Sequence, residues 1–230
     1  MAFSGWTDEA LDFYEGLIVE NTKAYWTAHK AVYDDKVLRP MTELTEELAA
    51  KFADFGESGE PKLFRPYRDV RFSPDKTPYK THIGATIGHM LYIQFSADGL
   101  GVGAGMWHMG PEELARYRSA VAADHTGGEL SSIVTDCEKN GATIHGHDVL
   151  KSAPRGYPAD HPRIGLLRYK GITAWQDWPP EPWLATGAAK DRVVSFFMNT
   201  RQLREWLAHN VARLAAFHPG IRRHTLTTRC

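Results

Sequence analysis

Apolar residues in the first fifty positions recur three and four apart, with polar residues filling the gaps, and this spacing predicts helices. Thr7 stands where a helix would be capped, and Asp8 and Glu9 suit its positive end. Leu11, Phe13, Tyr14, Leu17 and Ile18 carry that helix onward. A second helix is expected from Asn21 or Thr22, with Tyr25, Trp26, Val32, Tyr33 and Val37 as its buried stripe. Pro40 then restarts the chain as a first-turn proline. Met41, Leu44, Leu48 and Phe52 follow at helical spacing, and Gly56 is expected to end the helix.

Beyond the loop GESGEP the period changes. Residues 63–73 contain Pro66 and alternate loosely, which predicts an irregular strand, and SPDKTP is turn chemistry. A short strand is expected over 83–88. Residues 90–96 and 100–106 flank Asp98-Gly99 as a hairpin. Helices are expected from Pro111 to about Ala123, with Leu114, Tyr117 and Val121 on one face, and over 129–140, ended by Gly141. Asp160 is expected to cap a short helix including Pro162 and Leu166. Residues 172–178 read as a strand, and 183–198 fit either element, with VVSFFM buried. Thr200 caps a last amphipathic helix bearing Leu203, Trp206, Leu207 and Leu214. Helices at both ends around a central group of strands predict an α+β fold, with helices packed on a mostly antiparallel or mixed sheet. One domain is expected over 1–220, with a disordered tail over 221–230.

Composition narrows the partners. Lys plus Arg number 27 and Asp plus Glu 28, a formal net charge of -1, which argues against a dedicated nucleic-acid binder and leaves a small anionic ligand as the expected partner. Cys137 and Cys230 cannot build a disulfide framework, and Cys137 reads as structural. The first residues lack a basic stretch followed by an apolar one, and no apolar run approaches the roughly 18 residues of a membrane span. A cytoplasmic location is the resulting expectation. Nothing in the pattern sets an oligomeric state.

The polar chemistry concentrates in residues 65–82, RPYRDVRFSPDKTPYKTH. Arg65, Arg68, Arg71, Lys76 and Lys80 stand against Asp69 and Asp75, a local charge of +3 in a chain whose remainder is -4. Clustered guanidiniums suit a phosphate or carboxylate. If residues 68–73 are extended, Asp69, Arg71 and Ser73 share one face. In an enzymatic reading Arg68 and Arg71 clamp an anion while Asp69 orients Arg71 or acts as a base. Lys76 would then stabilise developing charge, and Tyr79 and His82 would move protons. In a structural reading the same residues neutralise one another and tie the segment to the helices. A non-catalytic module that binds protein or nucleic acid is a third reading, since Phe64, Tyr67, Phe72 and Tyr79 interleave with the cations.

Arg65, Arg68-Asp69, Arg71-Phe72, Asp75-Lys76 and Pro78-Tyr79 resemble the motif R-x-x-R-D-x-R-F, then D-K, then P-Y, of the "domain of unknown function 2461" family. Asn21, Lys23, Trp26 and Tyr33, the glycine-rich hairpin, and GYPADHP with the following LLRYKG are similar too. The resemblance covers nearly the whole chain. It implies an α+β, bacterial-type protein of about this length, and no activity.

Three further features remain. Gly99, Gly101, Gly103 and Gly105 alternate with apolar residues, which would leave one strand face as bare backbone open to a helix, another backbone or a flat ligand. His145-Gly146-His147 falls short of a metal site, and neither HExxH nor paired CxxC occurs, so no metal or cofactor is expected. His82 and His108 are candidate acid–base groups. His161 in GYPADHP, with Arg168 and Lys170 beyond it, would give the charged run a second wall if the two segments meet.

Overall fold

The computed structural model describes residues 2–53 and 59–212. Helices α1 (Asp8–Val19), α2 (Lys23–Val32) and α3 (Arg39–Ala53) follow the predicted apolar spacing. Thr22 caps α2, its side chain accepting from the Tyr25 N–H. The expected restart at Pro40 does not occur. Residues 33–38 form a π-helical turn, in which the Arg39 N–H donates to Asp34 O five residues back, and the chain stays helical from Lys23 to Ala53. The wide turn re-phases the ladder just before a residue with no N–H, so the helix runs on.

The sheet has six strands in the order β1-β2-β3-β4-β6-β5, every neighbouring pair antiparallel. They are β1 (Lys62–Leu63), β2 (His82–Ile87), β3 (Leu91–Ser96), β4 (Gly99–Met106), β5 (Thr143–Gly146) and β6 (Ile172–Trp178). The β3–β4 hairpin turns at Asp98-Gly99, where Gly99 has φ +103°, a conformation that side chains disfavour. Between β4 and β5 lie α4 (Pro111–Ala122) and α5 (Asp124–Lys139), and β6 returns between β4 and β5. Helix α6 (Ile164–Leu167) precedes β6, and α7 (Ala188–Asn199) and α8 (Arg201–Leu207) follow it. An α+β fold with an antiparallel sheet and helices at both ends is what the apolar pattern predicts.

Several local expectations are corrected. Of residues 63–73, only Leu63 belongs to a strand, because Pro66 and the turns that follow divert the chain. Helix α5 begins at Asp124, before Gly127 and Gly128. Gly127 is needed there, since a Cβ would meet Val121 O at 2.0 Å, the end of α4. Asp160 is exposed and does not cap α6, which starts after Arg163. Arg163 instead ties α4 to α5 by donating to Val121 O, Ala122 O and Asp124. Thr200 donates its hydroxyl back to Phe196 O rather than capping α8. The ambiguous VVSFFM run is helical, within α7. Expectations for Gly56, Leu214 and the tail 221–230 lie outside the described residues.

β3 alternates buried and half-buried residues, which separates the two faces of the sheet. Leu91, Ile93 and Phe95 face the helices, with Trp6 stacked on Phe95 at 4.7 Å. Tyr92, Gln94 and Ser96 face the opposite way, and no described helix covers that side. Cys137 is buried, which pushes its thiol up to about 11, as suits a structural cysteine. No helix among the described residues is long and apolar enough to cross a membrane.

Candidate functional site

Residues 64–81 leave β1 and return as β2 without forming a regular element. Their neck is closed by a bridge between Tyr67 and Tyr79, with Arg68 N–H donating to Pro78 O at 2.9 Å and Lys80 N–H to Pro66 O at 2.8 Å. Asn21, in the turn between α1 and α2, holds this neck from below. Its amide donates to Tyr79 O and accepts from Tyr79 N–H, both at 3.0 Å. The Tyr79 ring lies flat on Trp26, centroids 4.4 Å apart. Asn21→Ala removes both bonds and should cost about 2 kcal/mol, a melting temperature lower by roughly 4–8 °C. Thermal unfolding measures it.

Beyond the neck the loop satisfies its own charges. Arg71 forks onto Asp69, Nε to Oδ1 at 2.9 Å and Nη2 to Oδ2 at 2.6 Å. Arg68 donates to Asp75 and to the Thr77 hydroxyl. Asp75 also accepts from the Thr77 N–H and hydroxyl, each at 2.9 Å, and Lys76 donates to Val70 O at 3.0 Å. The two arginines read as one clamp are therefore committed to separate carboxylates. The Arg71 hydrogen bonds hold Asp69 below the usual carboxylate range. The Thr77 N–H, Arg68 and the Thr77 hydroxyl lower Asp75 to about 2. A depressed carboxylate stabilises the fold above its unfolded value of about 3.9 and loses that contribution as pH falls through its folded value. The Asp75 carboxyl carbon should therefore titrate near pH 2 in the folded protein, and the loop's bonds should open as pH falls through about 2, which an NMR pH titration reads. Phe72 stands at the loop tip, 95% exposed, with the Arg71 guanidinium 5.9 Å from its ring centre.

On the uncovered sheet face, the register aligns Gly84, Gln94, Gly101 and Asp177 in one row and Thr86, Tyr92, Gly103, Trp175 and Thr143 in the next. At Gly101 and Gly103 the glycine ladder meets neither a helix nor a foreign backbone. The six-membered ring of Trp175 lies over it: a Cβ at Gly103 would stand 2.8 Å from Cε3, and one at Gly101 2.9 Å from Cζ2. Trp175 Nε1 donates to Asp177 at 2.6 Å. Tyr92 neighbours Trp175 at 5.8 Å and Phe64 at 6.2 Å between ring centres. Together with Thr86, His89, Thr173 and Trp107 these rings line an open cavity of about 420 Å³, a size that takes a small molecule.

Two cationic side chains, Arg65 and Lys80, gather with the His82 imidazole where the charged run joins this face. His82 begins β2 on the same side as Gly84 and Thr86, and Lys80 Nζ sits 5.5 Å from the centre of the Phe64 ring. Burial and the adjacent Arg65 lower Lys80, and burial and Lys80 lower His82. No described carboxylate bonds to Arg65, Lys80 or His82, although Asp69 lies close enough to feel Arg65. Of the four candidate catalytic groups in the charged run, Asp69 and Lys76 are used within the loop and Tyr79 within the stack on Trp26. Only His82 stands on the uncovered face.

The second wall does not form. His108 and Lys170 lie beside the Met106–Ile172 end of the β4–β6 pair, whereas His82 aligns through Ser96 with Gly99, at the other end of β4. The eight residues of β4 span roughly 24 Å between those ends. Arg168 donates to Lys151 O, and His161 Nδ1 accepts from the Arg163 N–H, so both serve the 150–170 segment that packs on α4. His108 is exposed, and the His147 ring lies tilted against Trp107, centroids 4.3 Å apart.

Sequence reasoning missed Tyr92, Thr86, Trp107 and Trp175. A signal existed for two of them. In LYIQFS and ITAWQDW, strict alternation puts Tyr92 with Gln94, and Trp175 with Thr173 and Asp177, opposite the apolar positions. No group of His, Cys, Asp and Glu among the described residues could hold a metal ion.

No curated protein matches the chain. The model of the family described as conserved hypothetical protein (DUF2461) matches residues 9–206. Its span takes in the α1–α2 pair, the charged loop, the glycine hairpin and both sides of the aromatic face, and the chain belongs to that family.

Proposed function

We propose that this protein binds a small anionic molecule, bearing phosphate or carboxylate, where Arg65, Lys80 and His82 meet the uncovered sheet face. The observation that carries this reading is the cationic pair Arg65 and Lys80 with His82 beside it, no described carboxylate bonded to any of the three, next to a cavity of about 420 Å³. Unneutralised like charges repel, and an anion between them removes that repulsion while supplying hydrogen-bond acceptors. The motif thereby divides into two parts. Arg68, Asp69, Arg71, Asp75 and Lys76 hold the loop, and Arg65, Lys80 and His82 meet the ligand.

Calorimetric titration with inorganic phosphate and with malonate tests the division. Lys80→Ala and Arg65→Ala should each weaken binding about tenfold, or ~1.4 kcal/mol, with an unchanged melting temperature. Arg71→Ala should leave affinity unchanged. Loss of affinity in Arg71→Ala equal to that in Lys80→Ala would return the site to the loop tip. Absence of millimolar binding by the wild type would remove the reading altogether.

A further inference from the structure

The cationic cluster accounts for one end of the uncovered face and leaves its aromatic floor without a use. That floor has an unusual construction. Two strand positions are glycine where any side chain would strike the Trp175 ring, so the indole lies down on the β4 backbone. A tryptophan on an open sheet face would ordinarily be free to stand in solvent. Here the hydrogen bond to Asp177 fixes its edge as well, and one ring face is turned to the cavity. Tyr92 and Phe64 continue the aromatic surface from β6 to the edge at β1, and Lys80 stands over the far end. Each step along Trp175, Tyr92, Phe64 and the Lys80 ammonium measures 5.5–6.2 Å.

Resting on the anion site proposed above, we infer that the ligand is a nucleoside monophosphate, its base on the Trp175–Tyr92 floor and its phosphate at Lys80 and Arg65. A planar π system stacks on an indole with a gain of about 1–3 kcal/mol, and it does so whichever base it is. Thr86, Gln94 and Thr173 line the cavity and supply hydroxyl and amide groups for the polar edge of a base. The sugar spans the Phe64 ring, and the charged end arrives where no described carboxylate bonds the cations. The near-neutral chain favours one nucleotide over a strand.

The test uses the full chain, with tryptophan fluorescence and calorimetry read together. The probes are the four common ribonucleoside monophosphates, adenosine alone and inorganic phosphate alone. At least one monophosphate should bind tenfold or more tightly than phosphate and quench indole emission. Trp175→Ala should weaken nucleotide and nucleoside at least tenfold and leave phosphate affinity unchanged. Lys80→Ala should do the reverse, weakening nucleotide and phosphate but not adenosine. Trp175→Phe keeps a ring on the glycine strip and should retain binding, which separates loss of stacking from loss of fold. If every monophosphate binds no better than phosphate, or Trp175→Ala leaves nucleotide affinity intact, the inference fails while the anion site stands. If adenosine binds as well as the nucleotide and Lys80→Ala changes nothing, the anion site fails instead. An eight-nucleotide single strand that binds tenfold more tightly than any monophosphate overturns the inference in favour of a nucleic-acid surface.

Discussion

Trp26→Ala should lower stability by about 3–5 kcal/mol, the range for truncating a large buried aromatic. In a domain of this size that is a melting temperature roughly 10 °C lower. Trp26 is 4% exposed and sits at the centre of a ring cluster, with Tyr79 at 4.4 Å, Tyr33 at 4.7 Å and Phe13 at 5.8 Å. Removing the indole opens a cavity between α2 and the neck of the charged loop, and the surrounding rings belong to different elements that cannot all collapse into it. The effect should also be local. Tyr79 loses its stacking partner, so the amides of Arg68 and Lys80, which close the neck, should exchange faster with solvent than those of the β3–β4 hairpin. Hydrogen exchange at single-residue resolution reads this directly. Unchanged protection at Arg68 and Lys80, despite the lower melting temperature, would mean that Asn21 alone holds the neck.

The helices and the sheet were legible because burial imposes a period on the chain. Leu11, Tyr14 and Leu17, or Leu91, Ile93 and Phe95, repeat at the spacing of their element, and that repeat needs no tertiary information. What failed was whatever depends on a partner distant in sequence. The passage of the helix through Pro40 depends on a π turn that no local propensity announces. The start of α5 before two glycines depends on the nearness of α4 to Gly127. The charged run is visible as a concentration of charge, but a list of cations does not say which of them already have carboxylates. Asp69 takes Arg71, the pairing expected of two residues on one face, while the pairing of Asp75 with Arg68 comes from turn geometry within the loop. The aromatic floor was the larger omission. Tyr92 and Trp175 are 83 positions apart and become neighbours only because β6 pairs with β4, on the far side of two helices. The bare ladder of glycines was visible, while the indole that requires it was not.

Gly103→Val tests that requirement. Two effects oppose each other. Valine is a better strand residue than glycine, by up to about 1 kcal/mol. Against this, its Cβ would stand 2.8 Å from Cε3 and 2.9 Å from Cζ3 of Trp175, closer than side chains tolerate, and the rest of the side chain reaches further. Overpacking of this kind costs about 1–3 kcal/mol, so the clash should win and the single variant should be destabilised. The indole must leave the strip, which breaks its bond to Asp177, exposes its ring and shifts its emission to longer wavelength. Adding Trp175→Ala removes the obstacle and leaves valine with only its strand preference. The double variant should therefore be more stable than the sum of the two single changes by about 1–2 kcal/mol, a coupling that denaturant unfolding of the four proteins resolves. Strict additivity would mean that the glycines serve the backbone of β6 alone. That explanation suits Gly105, where a Cβ would meet Ile172 O at 2.4 Å. At Gly101 and Gly103 the nearest atoms include those of the Trp175 ring, so the coupling separates a strand built bare for its neighbour's backbone from one built bare to seat an aromatic floor.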